Sequence, residues 1–227
     1  WQPTPGGPKG SVRRLVATTE RMFALGSFHM AGTKQAQDLA QWDGDTWTAV
    51  GGPCGDGIRG TISGMLSDGN GFLASGEFWS AGDLTVDGLA RWQGAEWTRP
   101  DVSAYPSGPT AGSLARVGSD VFTILVNSAT GIRGVYRVRG ESATEFANLD
   151  GAPTSLSVHR GTLVMTGDFR WVGQSYAPKL AIWSPQNGWR NPEPRLLGRV
   201  HNAISTPRGL LVLGDEIQPH DGSIPAA

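Results

Sequence analysis

The chain has 227 residues, a formal net charge of −1, one cysteine, 33 Gly and 15 Pro. That charge gives no overall field favouring nucleic acid or an anionic membrane, and no apolar run approaches the ~18 residues of a membrane span. Cys54 has no second cysteine for an internal disulfide and reads as a small buried side chain. The length suits one all-β domain with a sizeable core, and the Gly and Pro content marks many tight turns. The chain starts on Trp1 and holds no signal peptide, so it is expected to be a processed or trimmed protein, or a module of a larger one.

Taken from the N-terminus, "WQPTPGGPKGSVRRLV" matches "WTAVGGPCGDGIRGTI" when Trp1 is set on Trp47. The chain therefore opens in the last strand of a repeating unit. The first complete unit, roughly 11–50, has an opening strand in "VRRLVATT" and a second in "MFALGSF", which runs into "GSFHMAG" at 26–32. "LAQWDGDTWTAV" at 39–50 then carries Asp-Gly between apolar flanks, a strong hairpin signal. The second unit, 57–99, repeats the plan with "IRGTISGM", a "DGNG" hairpin turn at 68–71, "GEFWSAG" at 76–82 and "LARWQGAEWTRP". The third, 110–149, is degenerate: "FTILVNSATG" replaces the glycine phrase, and "YRVRGESATEFANL" has lost the tryptophans. The fourth, 153–190, restores "GDFRWVG" at 167–173 and "LAIWSPQNGWRNP". The fifth, from 198, has "VHNAIST" and "LLVLGDEIQPHDGSIPAA", then stops one strand short.

No stretch shows a sustained 3.6-residue apolar period with caps, so helices are expected to be nearly absent. Four antiparallel strands per ~40–50 residues is the blade of a β-propeller. The expected fold is one all-β domain over 1–227, a five-bladed β-propeller. Its last blade (198–227) takes its outer strand from residues 1–5, which removes the open edge between first and last blades.

The pattern G-x-F-x-x-A-G followed by L-A-x-W-x-G-x-x-W resembles the Kelch-like propeller repeats of secreted bacterial proteins, and is similar to repeats of fungal cortical polarity-marker proteins. The resemblance spans nearly the whole chain and implies an extracellular or envelope setting and a binding or scaffolding role. The blade count alone is shared with the tachylectin type of sugar-binding propeller.

Trp42, Trp92 and Trp183 recur at one position and Trp47, Trp97 and Trp189 at another, the pattern of aromatic packing between blades. Phe28, Phe78 and Phe169 carry the same expectation, and Gly26, Gly76 and Gly167 are expected to allow a close backbone approach or a bulge. Function is sought where the repeats differ. The loop face would carry His29, Trp79, Arg170, Trp171 and Tyr176, a set suited to a protein surface, a glycan or another planar polar ligand. Arg13, Arg59 and His201 align at the start of the inner strand, where they would hold an anion or pair with the facing column Ser27, Glu77, Asp168 and Asp215. In the paired alternative, Arg59 meets Glu77 and His201 meets Asp215.

Those carboxylates are the only candidates for a glycosidase pair, which needs one acid raised in pKa beside an ionised partner. Neighbouring arginines would instead keep all of them ionised. No G-x-S-x-G, H-E-x-x-H or phosphate-loop motif is present. The four histidines, His29, His159, His201 and His220, are scattered along the repeats, so neither metal nor cofactor is expected. The reading is a non-catalytic recognition propeller with a protein or other single-ligand partner. A lectin stands as the alternative, and a glycoside hydrolase as the second.

Overall fold

The structure, a computed structural model, describes residues 6–51, 57–101, 110–126, 130–131, 133–192 and 195–220. The expected strand at residues 1–5, the segment 221–227 and Cys54 lie outside the described residues. The chain divides into two compact units, Trp1–Pro100 and Asp101–Ala227.

The first unit holds two sheets of one design. In the first sheet, β1 (Pro8–Ala17), β2 (Met22–Ala31), β4 (Leu39–Trp42) and β5 (Trp47–Ala49) follow one another in space, and the short β3 (Lys34–Gln35) hooks onto the end of β2. The second sheet repeats this with β6 (Ile58–Asp68), β7 (Gly71–Ala81), β8 (Leu84–Thr85), β9 (Leu89–Trp92) and β10 (Trp97–Thr98). All pairs are antiparallel. The Asp-Gly turn forms as its sequence dictates. Asp43 Oδ1 accepts the N–H groups of Asp45 and Thr46, at 3.0 and 2.8 Å, which sets Trp42 opposite Trp47.

Aromatic rings fill the space between these two sheets. Phe23 of β2 meets Phe72 of β7 edge-on at 4.7 Å, and Phe72 meets Trp97 at 5.6 Å. Trp92 and Trp97 are cross-strand neighbours whose rings lie 5.2 Å apart, in the same apolar cluster as Leu39 and Val50 of the first sheet. The second sheet's tryptophan pair thus turns toward the preceding sheet. Phe23 and Phe72 are fully buried, and such rings each remove ~150–250 Å² from water.

The second unit begins with β11 (Thr110–Val117), β12 (Asp120–Val126), β13 (Arg133–Arg139) and β14 (Ser142–Ala147), a four-stranded meander. The sheet survives the loss of its motif because Val121, Phe122, Ile124 and Leu125 still supply an apolar strand. An ion pair helps hold its far end, where Asp120 takes two hydrogen bonds from Arg139, at 2.5 and 2.9 Å. The next sheet comprises β15 (Ala152–His159), β16 (Thr162–Asp168), β19 (Leu180–Ser184) and β20 (Gly188–Arg190), with β17 (Trp171–Val172) and β18 (Ser175–Tyr176) forming a separate two-stranded hairpin. Trp183 again turns toward the preceding sheet, meeting Phe122 at 5.4 Å and Phe146 at 5.0 Å.

The last sheet contains β21 (Arg195–Thr206) and β22 (Gly209–His220), which among the described residues pair only with each other. Ala203 joins a cluster with Val164, Leu180 and Ile182 of the preceding sheet. No helix occurs among the described residues, and none is long and apolar enough to cross a membrane. The fold is therefore all-β, with several sheets built on four antiparallel strands.

Candidate functional site

One register detail recurs and places every candidate residue. The repeated glycines 26, 76, 167 and 214 of the second strands lie opposite Val12, Ile62, Pro153 and Val200 of the first strands. A Cβ on any of them would overlap the facing backbone carbonyl, of Ser11, Thr61, Ala152 or Arg199 respectively. Only a bare glycine allows so close an approach. In each sheet the register then slips by one residue, a β-bulge that leaves one residue of the first strand unpaired. The bulged residues are Arg13, Ser63, Thr154 and His201.

This corrects the expected basic column. Arg13 and His201 do occupy equivalent bulges, but Arg59 does not. It sits four residues before Ser63, opposite Ser80, while Glu77 lies opposite Thr61. The short phrases "VRR" and "IRG" look alike in sequence, yet the bulge and the glycine define a different frame. The expected pairing of Arg59 with Glu77 is thus displaced. The other two bulge residues reach the residue after the repeat glycine. Arg13 donates from Nη2 to Ser27 Oγ at 3.0 Å, and His201 Nε2 lies 2.9 Å from Asp215 Oδ2. Both contacts are solvent-exposed, so each contributes only ~0–1 kcal/mol. Asp68 places a further carboxylate, outside the expected column, at the end of β6. It accepts from Arg91 Nε at 2.8 Å.

A second column was not visible as such in the sequence. Asp38, Gly88 and Lys179 all have left-handed backbone, with φ of 61°, 71° and 69°. In each, the carbonyl accepts from the repeat glycine N–H and the N–H donates to the carbonyl of Phe28, Phe78 or Phe169. The signal was present in "QDLA", "DGLA" and "PKLA", one residue before each Leu-Ala. Asp38 also accepts from the Phe28 N–H through Oδ1 at 3.1 Å, and Lys179 donates from Nζ to the Gly198 carbonyl.

Beside Asp38 a cavity of about 350 Å³ opens between the first and second sheets. Its polar lining includes Arg13, Arg14, Ser27, Gln37, Asp38 and Thr61, and its apolar floor is formed chiefly by Leu25, Leu39 and Ile62. Of these, only Arg13 and Ser27 were singled out by the repeat pattern. Arg14 and Gln37 are exposed residues with no repeat counterpart that would mark them.

The loop-face residues occupy the hairpin tips. His29, Trp79 and Arg170 follow the buried Phe28, Phe78 and Phe169, and each offers its carbonyl to the returning strand, at Ala36, Val86 and Ala177. All three side chains are exposed, Trp79 at 64 %. Trp171 and Tyr176 face one another across β17 and β18, with rings 5.1 Å apart, and are themselves largely exposed. Asp150 anchors this hairpin by accepting the N–H groups of Arg170 and Trp171, both at 2.8 Å. Those two backbone hydrogen bonds hold its carboxyl below the usual range. The repeat pattern missed Asp150 because it lies in the connection before β15.

Arg170, Trp171 and Tyr176 therefore come together in the second unit, while His29 and Trp79 mark equivalent tips of neighbouring sheets in the first. Glu77, Asp168 and Asp215 are each exposed on their own strands. Among the described residues, no three His, Cys, Asp or Glu side chains gather as a metal site would require. No known family model matches the chain, and no curated protein sequence matches it.

Proposed function

We propose that the chain is a non-catalytic recognition module, a five-bladed β-propeller of secreted or envelope type that binds a protein or other single ligand through its hairpin face. The observation carrying this reading is that one repeated strand plan presents different exposed side chains. The glycine register, the buried phenylalanine and the returning hydrogen bonds repeat, whereas the tips read His29, Trp79 and Arg170–Trp171. Divergent tips favour one composite surface over a set of identical sugar pockets. Exposed aromatics beside an arginine are the side chains that dominate binding energies.

Ring closure is part of the proposal, with residues 1–5 as the outer strand of the last blade. Two features support it. Four sheets share one strand order, and β21–β22 repeats the bulge and glycine of the first, second and fourth. Val12 and Leu15 of β1, and Ile204, Leu211 and Leu213 of β21–β22, are apolar and at least 41 % exposed. Closure would give both apolar rows a cover.

A hydrolytic role is disfavoured because the three candidate carboxylates are exposed, and none has the apolar enclosure that raises a catalytic acid. The test is a pull-down from the source organism run beside a glycan array, with the parent and a Trp79→Ala/Trp171→Ala variant. A partner retained by the parent and lost by the variant, at an unchanged melting temperature, supports the proposal. Equal retention refutes the loop-face site, and an array hit on several neutral sugars would install the lectin reading in its place.

A further inference from the structure

The cavity between the first and second sheets has the chemistry of a small-molecule site separate from the hairpin face. Its volume of about 350 Å³ falls in the range of ligand pockets. Two guanidinium groups, Arg13 and Arg14, and one carboxylate, Asp38, line it, so its charged rim carries a net +1. That complements a monoanion better than a phosphate dianion, which Asp38 would repel. Paired arginines present planar donor forks that match a carboxylate. Asp38 uses Oδ1 on the Phe28 N–H, and a carboxylate accepts further donors. Gln37, Ser27 and Thr61 add polar groups suited to hydroxyls, above a floor of Leu25, Leu39 and Ile62 that suits the C–H face of a ring.

The second unit shows how such a space is filled when it is not used. At the position equivalent to Asp38 stands Lys179, whose ammonium caps the Gly198 carbonyl. Gly60, the first-unit counterpart of Gly198, lines the cavity instead. Both glycines face the strand after the repeat glycine in the same way. The opening therefore depends on a short acidic side chain at a backbone position where a lysine is also accommodated.

We propose that this cavity binds a small hydroxylated monocarboxylic acid of the sugar-acid class, held by Arg13 and Arg14 at the carboxylate and by Asp38 and Gln37 at its hydroxyls. The inference concerns the first unit alone and stands or falls independently of the hairpin-face reading.

The test is calorimetric titration of the full chain with D-glucuronate, D-glucose, acetate and inorganic phosphate, and with a short oligoglucuronate. Glucuronate is expected to bind at least about tenfold more tightly than glucose, acetate or phosphate. Arg14→Gln should weaken glucuronate about tenfold. Asp38→Lys should abolish binding while the chain stays folded, with only the modest fall in melting temperature due to the lost Phe28 N–H hydrogen bond, because Lys179 already adopts that backbone conformation. Should Asp38→Lys fail to fold, Arg14→Gln carries the test by its roughly tenfold loss of affinity. Equal affinity for the oligomer marks the free acid as ligand, and tighter binding of the oligomer marks the acidic end of a saccharide; both support the site. No glucuronate binding up to about 10 mM, or equal affinity for phosphate, overturns the proposal. So does binding that survives a folded Asp38→Lys variant.

Discussion

Replacing Gly76 by alanine tests the register on which every site residue depends. Gly76 lies opposite Ile62, and a Cβ there would overlap the Thr61 carbonyl oxygen while lying 2.8 Å from Ser63 N and 2.9 Å from Ile62 Cα. All three are backbone atoms of β6, so no side chain can rotate away and the strands themselves must part. Overpacking of this kind costs ~1–3 kcal/mol and occasionally more. The entropy removed from the unfolded chain returns ~0.4–1 kcal/mol where the backbone conformation permits alanine. Because the overlap falls wholly on backbone, the upper end of that range applies, and the expected net loss is about 2–2.6 kcal/mol. At ~2–4 °C per kcal/mol for a domain of 150–250 residues, the melting temperature should fall by about 4–10 °C. The control is Gly69→Ala in the β6–β7 turn, where φ is +60° and nothing lies within 4 Å of the added methyl. There only the left-handed backbone is strained, at ~1–2 kcal/mol before the same entropic offset. Thermal melts followed by calorimetry and tryptophan fluorescence separate the two. A Gly76→Ala variant that melts no lower than Gly69→Ala would refute the close approach as the reason for the repeated glycine.

Phe72→Ala, which empties the fully buried ring between Phe23 and Trp97, should cost ~3–5 kcal/mol in urea denaturation; a loss below about 1 kcal/mol would contradict a shared core between the first two sheets. Asp120 is held below its ordinary pKa, first by the Arg139 hydrogen bonds and then by the charges of Arg139 and Arg137, against a desolvation that pushes it up. Because the folded value is depressed, its stabilisation is present above the ordinary value of 3.8 and is lost as pH falls through the folded value. Asp120→Asn should therefore melt below the parent near neutral pH, with the gap closing in acid; a gap independent of pH would sink the assignment. Asp150→Ala removes the acceptor for two backbone N–H groups, so amide exchange at Arg170 and Trp171 should rise about tenfold with little change in global stability. Unchanged exchange there would mean the hairpin holds itself.

The repeat, the all-β class and the sheet boundaries were legible in the sequence because each sheet solves the same local problem. Turn chemistry at Asp43–Gly44, alternating apolar residues and paired tryptophans act over a few residues and leave a readable pattern. Even the motif-poor third sheet was found, since its apolar strands keep the spacing. The candidate site was legible only in part. His29, Trp79, Arg170, Trp171 and Tyr176 stood out by differing between repeats, and the structure exposes all five at hairpin tips. The alignment of Arg59 with Arg13 failed because the residue matching Arg13 is the bulged Ser63, four residues further on, and similarity of short phrases carries no information about where a bulge falls. Asp38, Arg14 and Gln37 escaped notice because their significance is non-local. A cavity exists only where two sheets, each folded correctly by its own sequence, meet around a side chain too short to fill the space. Sequence by itself thus determined the repeating unit and its packing residues, through interactions between neighbours on one strand or hairpin. The opening itself was decided by how Gly60, Thr61 and Ile62 of the second sheet come up against Arg13, Arg14 and Asp38 of the first, which only tertiary structure records.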